Sequence, residues 1–435
     1  MNIKNLYNIY KENPIICTDT RKIKKGSIFF ALKGEKFNGN LFANKAIKEG
    51  CSYAIIDEKS NTKNKQFIRV KDSLKTLQEL ARYHRKKLSI PIIGITGTNG
   101  KTTSKELIHA VLKTKLNCYA TKGNLNNHIG VPLSILEINH KHEIAIIEMG
   151  ANHEKEIDFL CNITLPTHGT ITNIGSAHLE GFKNIQGVIN TKRELYNYIK
   201  KINGLLFINN DDKLLVNLSK NIKSVFYGVN SKLDVSITNN TPFLNLKWRN
   251  KNIQSKLIGE YQFYNISLAI CIGNYFNISE ENIKIAIESY IPKNNRSEIQ
   301  KTNNNTIILD AYNANPSSMK AMLCSFAQQK YNTKMCILGD MLELGKHSKN
   351  LHQKMSTIIN STSIDKVNVF GKHIKETYKN IHIKKKGLIL KEYSQIFDLI
   401  KNNINNNDYL MIKGSNSTGL FSLVNSLKKG NIHAL

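Results

Sequence analysis

Lys101 is the residue whose setting points most directly to chemistry. It stands in Thr96-Gly97-Thr98-Asn99-Gly100-Lys101-Thr102-Thr103, after the apolar run Ile92-Ile93-Gly94-Ile95 and before a helical pattern from Ser104 onward. Strand, glycine turn, Lys-Thr and helix is the layout of a loop that wraps a polyphosphate. Glycines let the backbone approach an anion closely, and N–H groups at a helix start donate to it. The lysine reaches the β- and γ-phosphates, and a Thr102 hydroxyl suits Mg²⁺. The spacing departs from G-x-x-x-x-G-K-[ST], because Ile95 stands where the first glycine belongs. An ordinary glycine turn is the alternative at this point.

Three further stretches carry groups of use beside such a loop. Ile146-Ile147-Glu148-Met149-Gly150 puts a carboxylate at the end of a strand, where it can ligate Mg²⁺ directly or through water. Asn173-Ile174-Gly175-Ser176-Ala177-His178 puts an imidazole at the end of another. Thr121-Lys122-Gly123-Asn124-Leu125-Asn126-Asn127 offers amide side chains for polar ligand groups. Taken singly, each is a turn carboxylate, a solvated histidine or an Asn-rich turn. Their weight comes from sharing the level of Lys101.

These groups need elements to position them. A chain of 435 residues is too long for one core, so two or three domains are expected. Residues 1 to about 87 read as a small α/β unit, with strands Ser27–Leu32 and Tyr53–Ile56 and helices Phe42–Glu49 and Ser73–Lys87. The stretch 88–293 alternates strand and helix, with strands Ile92–Ile95, Glu143–Glu148, Gly169–Asn173 and Gly204–Ile208. That alternation predicts a mostly parallel sheet covered on both faces. Ser224–Val229 and Phe243–Trp248 are β-like, and Tyr261–Phe276 is helical. A boundary is expected at Ile291–Arg296. Beyond it, strands Thr306–Asp310, Lys334–Leu338, Lys366–Val369 and Tyr409–Lys413 with helices Ser317–Gln329 and Lys349–Ile359 read as a third, Rossmann-like α/β unit. The Asn-rich patch 401–407 reads as a solvated loop.

Composition excludes several classes. No run of 18 apolar residues exists, so no membrane span is expected. The N-terminus has no apolar core of signal-peptide length. Seven cysteines without a C-x-x-C pair suggest reduced thiols in a cytoplasmic protein, with neither disulfide framework nor zinc site. The net charge of +29 raises nucleic acid as a partner. Its lysines are spread through a chain rich in Asn and Ile, residues that share A/T-rich codons, so biased codon usage is the preferred explanation. A nucleic-acid-binding P-loop protein stays open as the rival from a different class.

Together the stretches TDTRKIKKGSIFFALKGEKFNGN, GITGTNGKTT, TKGNLNNHIGVP, IIEMGANHEKEI, TNIGSAHLEGF, LDAYNANPSSM and ILGDMLELG resemble the Mur ligase family, from about Thr18 to Thr418. The phosphate loop is common to the family and to folylpolyglutamate synthetases. EMGANH, YNANPSSM and GDMLELG are similar to the branch that joins D-alanyl-D-alanine to UDP-N-acetylmuramoyl-tripeptide. The diaminopimelate-adding branch carries a D-N-P-R motif where this chain reads Asn313-Ala314-Asn315-Pro316.

The resemblance implies a cytoplasmic, monomeric, three-domain amide ligase using ATP and Mg²⁺, with no nucleic-acid partner. It implies UDP-substrate binding by 1–87, ATP binding by 88–293, and nucleotide and D-alanyl-D-alanine binding by 294–435. Lys101, His178 and Lys192 become catalytic positions. Gly97, Thr98, Asn99, Gly100, Lys101, Thr102, Thr103, Asn265, Arg296, Asp310, Tyr312, Asn313 and Asn315 become ATP contacts. Thr102, Glu148, His178 and a carbamylated Lys192 become metal positions. Thr20, Arg21, Lys33, Gly34, Asn38 and Gly39 match the region for the UDP end, and Thr121, Asn124, Asn126 and Asn127 complete the substrate positions. This sequence departs from the family at Arg193, Gln262 and Asn416.

Overall fold

The structure is a computed structural model describing residues 1–59, 64–293, 295–301, 305–402 and 408–420. Strands Ile92–Thr96, Ile144–Glu148 and Leu205–Asn209 are buried at every position. Side chains alternate across a strand, so continuous burial means that both sheet faces are covered. These strands belong to a six-stranded parallel sheet, ordered Ser224–Tyr227, Leu205–Asn209, His168–Ile171, Ile92–Thr96, Ile144–Glu148, Cys118–Ala120. All six run the same way, which gathers the loops after Thr96, Ala120, Glu148 and Ile171 at one edge.

Before this sheet lies a four-stranded parallel sheet, ordered Ile16–Cys17, Ile28–Phe30, Tyr53–Ile56, Phe67–Arg69. After it lies a six-stranded sheet ordered Glu298–Lys301, Asn305–Asp310, Asp408–Lys413, Lys334–Gly339, Lys366–Phe370, Lys386–Leu390. Its first pair is antiparallel and the rest parallel. The expected mostly parallel α/β organisation is therefore present. Among the described residues, no helix is long and apolar enough to cross a membrane.

The differences from the sequence reading are local. The phosphate-loop helix spans Lys101–Leu112 and so begins three residues earlier than Ser104. Gly100, at φ 78°, turns the chain straight into it. Lys101, Thr102 and Thr103 thus form the first turn, whose N–H groups have no intrahelical acceptor. The expected strand Gly169–Asn173 is His168–Ile171. It stops early because Thr172 and Asn173 bind the phosphate loop instead: the Thr172 hydroxyl donates to Asn99 O at 2.6 Å, and Asn173 Nδ2 donates to it at 3.0 Å. Ser224–Tyr227 ends at Gly228, whose φ of 114° breaks the strand. Edge strands Cys118–Ala120, Glu298–Lys301 and Lys386–Leu390 were not anticipated. Nor was the three-stranded antiparallel sheet Val235–Asn239, Asn245–Trp248, Lys251–Gln254 beyond its middle strand. Lys401 and Asn402 end the helix Tyr393–Asn402 rather than opening a loop. The rest of the Asn-rich patch, 403–407, and Asn294 in the expected boundary lie outside the described residues.

The N-terminal unit and the central sheet share one apolar core. It includes Leu6, Ile28, Ile55, Leu77, Leu80 and Ala81 from one side and Ile92, Val131, Ile135, Ile147 and Leu160 from the other. Buried polar bonds pin the seam. His84 Nε2 contacts Ile138 O at 2.6 Å, and Arg85 Nε donates to Thr164 O at 3.0 Å. Burial lowers the His84 pKa, which disfavours the charged ring in the seam.

Candidate active site

The gathered loops open onto a cleft of about 760 Å³, walled by the central sheet on one side and the C-terminal unit on the other. Gly97 and Gly100 shape its floor. Gly97 has φ 144°, and a Cβ there would lie 2.0 Å from Thr172 Oγ1. A Cβ on Gly100 would lie 2.6 Å from Asn265 Oδ1. The loop is clamped from behind: Thr98 N donates to Asn173 O at 2.9 Å, and Asn99 N donates to Asn173 Oδ1 at 3.0 Å. The residues of the first helical turn, whose N–H groups have no intrahelical acceptor, line the cleft, the setting an anion site uses.

Lys101 Nζ donates to Gly97 O at 2.7 Å and to Thr98 O at 3.1 Å, so it lies folded over its own loop. Desolvation lowers its pKa to about 8; Glu148 opposes the shift and Arg296 adds to it. Arg296 comes from the C-terminal unit, stacked on the Tyr312 ring at 3.8 Å, its buried Nε without a hydrogen-bond partner among the described residues. A stacked guanidinium with an unused donor beside a lysine is a setting for a polyphosphate.

Glu148 sits behind the helix start, 1% exposed. Thr102 Oγ1 donates to both its carboxylate oxygens, at 3.2 and 3.0 Å, and Asn126 Nδ2 donates to Oε1 at 2.9 Å. Thr121 supports it from behind, its Oγ1 accepting from Glu148 N at 3.0 Å. The sequence reading missed Lys105. One helical turn beyond Lys101 and 1% exposed, it donates to Thr121 O at 2.7 Å and lies 3.6 Å from Glu148 Oε2. Its signal was available: a lysine at i+4 from Lys101 points to the same helix face.

His178 lies in the same cleft wall at φ 51°, its Nδ1 against the Glu343 carboxylate of the C-terminal unit. Lys192 is buried behind it on the helix Ile185–Lys201, its Nζ over the Phe182 ring at 5.5 Å. Phe182 also meets the His178 ring edge-on. Desolvation, aided by Lys101 and opposed by Glu156 and Glu194, brings the Lys192 pKa down to about 7.

On the opposite wall, Asp310 pairs with the buried Lys413 and accepts from Ser297 N at 3.2 Å. Tyr312 and Asn313 line the cleft. Asn265 lines it too, held by Ser104 Oγ at 2.9 Å and by its own donation to Gln262 Oε1 at 2.6 Å. The departure at Gln262 therefore supplies a partner for Asn265. Asn315 is placed otherwise. It caps the helix Pro316–Gln328, and its Nδ2 donates to Asn99 Oδ1 at 2.8 Å. Its side chain ties the C-terminal unit to the phosphate loop.

The structure brings together Thr98–Thr103, Asn126, Asn127, Glu148, His178, Asn265, Arg296, Asp310, Tyr312 and Asn313 around this cleft. It does not bring the first-unit positions there. Arg21 is exposed and paired with Asp19, and Lys33 pairs with Asp57 and Glu58 at 3.0 Å each. Asn38 donates to Glu58 at 3.1 Å, and Thr20 opens the short turn Thr20–Lys22. Gly34 lies in the hairpin Lys33–Asn38, and Gly39 packs on the Leu32 backbone, where a Cβ would lie 2.5 Å from Leu32 O. Asn124 is exposed and does not line the cleft.

Three family descriptions match the chain: Mur ligase family, catalytic domain, over residues 14–85; Mur ligase middle domain over 95–273; and Mur ligase, glutamate ligase domain, over 295–416. The UDP-N-acetylmuramoyl-tripeptide--D-alanyl-D-alanine ligase of Bacillus subtilis is 33% identical over 422 residues, covering 95% of this chain and 92% of the relative. The crystal structure of MurF from Acinetobacter baumannii superposes with a TM-score of 0.85 at 27% identity, covering 95% of this chain and 93% of that one. MurF ligase from Thermotoga maritima in complex with ADP gives 0.83 at 25% identity, covering 96% and 97%. With relatives this similar along nearly its whole length, and with phosphate loop, carboxylate, histidine and arginine facing one cleft, the chain belongs to the Mur ligase family.

Proposed function

We propose that this chain joins D-alanyl-D-alanine to UDP-N-acetylmuramoyl-tripeptide, at the expense of ATP, in peptidoglycan precursor synthesis. The observation that carries the reading is the meeting of Lys101, Glu148, His178 and Arg296 on one cleft, in a chain whose full-length relatives bear that ligase name.

A carboxylate is a poor electrophile because its leaving group would be oxide. Transfer of the γ-phosphoryl group makes an acyl phosphate. The dipeptide amine attacks its carbonyl carbon, the C–O bond breaks, and phosphate leaves. The first step brings two anions together, so positioning and neutralisation dominate it. Lys101 leaves its loop carbonyls and contacts the β- and γ-phosphates. Arg296 reaches them from the opposite wall, and the Gly100–Thr103 N–H groups hold the phosphates from below. Closure of the C-terminal unit excludes water, which would otherwise hydrolyse the acyl phosphate.

ATP enters with Mg²⁺ in this reading. Thr102 Oγ1 and Glu148 already converge as hard oxygen donors, which fit that ion. His178 and a carbamylated Lys192 would hold a second ion, and the bound metals supply charge neutralisation between phosphate and carboxylate. Lys192 is suited to carbamylation because a pKa of about 7 leaves much of it as the neutral amine that adds CO₂.

We assign UDP binding to 1–87, with Thr20, Arg21, Lys33, Gly34, Asn38 and Gly39 near the UDP end. ATP binding falls to 88–293. Adenosine contacts fall to Asn265, Arg296, Asp310, Tyr312 and Asn313, and dipeptide binding to 294–435. The protein acts as a monomer in the cytoplasm. Purified protein incubated with ATP, Mg²⁺, UDP-muramoyl-tripeptide and D-alanyl-D-alanine is expected to release one phosphate per amide formed. Phosphate release only with a folate or a free diamino acid would assign the chain to another branch.

A further inference from the structure

The loop carrying His178 and the loop Met341–Gly345 of the C-terminal unit meet at two points. Glu180 N donates to Glu343 O at 3.2 Å, and the Glu343 carboxylate lies against His178 Nδ1. Nδ1 is shielded from water and has no aligned hydrogen-bond partner among the described residues, so this carboxylate is the group that meets it. Both residues of the pair hold left-handed backbone, His178 at φ 51° and Glu343 at φ 60°. Such conformations cost energy in residues other than glycine and persist where surrounding structure enforces them. Gly345 closes the loop at φ 51°, a left-handed turn that glycine adopts without strain.

A histidine that ligates a metal through one ring nitrogen commonly gives its other N–H to a carboxylate, which fixes tautomer and ring direction. We propose that Glu343 is the positioning residue for His178: it engages Nδ1, leaves the Nε2 lone pair for a metal ion in the cleft, and completes that metal position only when the C-terminal unit is closed. The inference rests on the reading of His178 as a metal position. Its consequence is that closure and loading of the second ion are one event. The acyl-forming step then waits for the unit that excludes water.

The test counts Mn²⁺ bound to the full-length protein by electron paramagnetic resonance, with a non-hydrolysable ATP analogue present. The wild type is expected to hold two ions. Glu343→Ala should keep one and weaken the other about tenfold or more, the range for loss of such a carboxylate. Glu343→Gln, which retains an acceptor, should recover part of the affinity. Analogue affinity and melting temperature should stay at wild-type values in both variants, which a merely structural role would not predict. If His178→Ala weakens an ion and Glu343→Ala does not, the proposal is overturned and the metal role of His178 stands. If neither changes the count, both fail. The substrate assignment is judged separately by the ligase assay.

Discussion

The central sheet has two neighbours, and it meets them in opposite ways. Toward the N-terminal unit the contact is apolar and continuous, with Leu77, Leu80 and Ala81 in the same core as Ile92 and Ile147. Toward the C-terminal unit, the contacts beside the chemistry are largely polar. They include Asn99 with Asn315 and Ser317, His178 and Glu180 with Glu343, and Tyr261 OH with Ser297 Oγ at 2.9 Å, while Ile258, Phe243 and Tyr261 add a smaller apolar contact. Burial of apolar surface is non-directional and strong, so the first seam holds one arrangement. Each polar pair contributes about 1 kcal/mol net, so the second seam can open at modest cost. One seam supports a platform, and the other is built to make and break around a nucleotide.

Breaking the chemistry should have the largest effect. Lys101→Ala is expected to lower acyl phosphate formation by about 10³-fold or more, the scale of losing a main transition-state charge contact, with circular dichroism unchanged. Near-normal turnover would remove Lys101 from the site. Lys192→Ala should lose on the order of 10²-fold or more in turnover, with partial rescue by short carboxylic acids. Full activity without rescue would refute the carbamate role.

The two seams should then separate cleanly. Leu80→Ala in the apolar seam should cost about 2–5 kcal/mol of stability, read by denaturant melting, with little change in turnover of the folded protein. Asn315→Ala in the polar seam should show the opposite balance: only about 1 kcal/mol of stability lost with the helix cap, and kcat lower by roughly tenfold from the broken bridge to Asn99. If Asn315→Ala melts early while Leu80→Ala does not, the contrast is wrong.

The smallest effect concerns pH. Burial pushes the His168 pKa down to about 4. Its folded pKa is thus below the unfolded one. Its contribution to stability is complete above about pH 6.5 and is lost as pH falls toward 4. By pH 5 the loss should be about 1 kcal/mol after allowance for partial exposure. His168→Phe should flatten that part of the stability profile.

The fold was legible where the code is local. Ile92-Ile93-Gly94-Ile95 and the all-apolar Ile144–Ile147 announce buried parallel strands, because apolar runs this short, β-branched and closed by turn residues are too brief for a buried helix. The edge strands were not legible, since pairing on one side leaves a weak pattern: Glu298–Lys301 reads as polar loop until Asn305–Asp310 lies beside it. In the site, Lys101, Glu148 and His178 could be found from strand ends and spacing. Lys105 could have been, from the same helix face. Glu343 could not, because its meaning depends on a left-handed turn bringing it across to His178, a contact 165 residues apart in the chain. Arg21 and Lys33 show the converse. They lie on the first unit, outside the cleft, where they pair with Asp19, Asp57 and Glu58, so a UDP diphosphate there would have to exchange for those carboxylates.

The central claim is that the phosphate loop presents the γ-phosphate to a carboxylate acceptor. It is tested most directly with UDP-muramoyl-tripeptide carrying ¹⁸O in its terminal carboxylate. With ATP, Mg²⁺ and D-alanyl-D-alanine, each phosphate released should carry one labelled oxygen from that carboxylate, because the acyl C–O bond breaks when the amine attacks. Unlabelled phosphate accompanying amide formation would contradict the acyl phosphate route and the role given to Lys101.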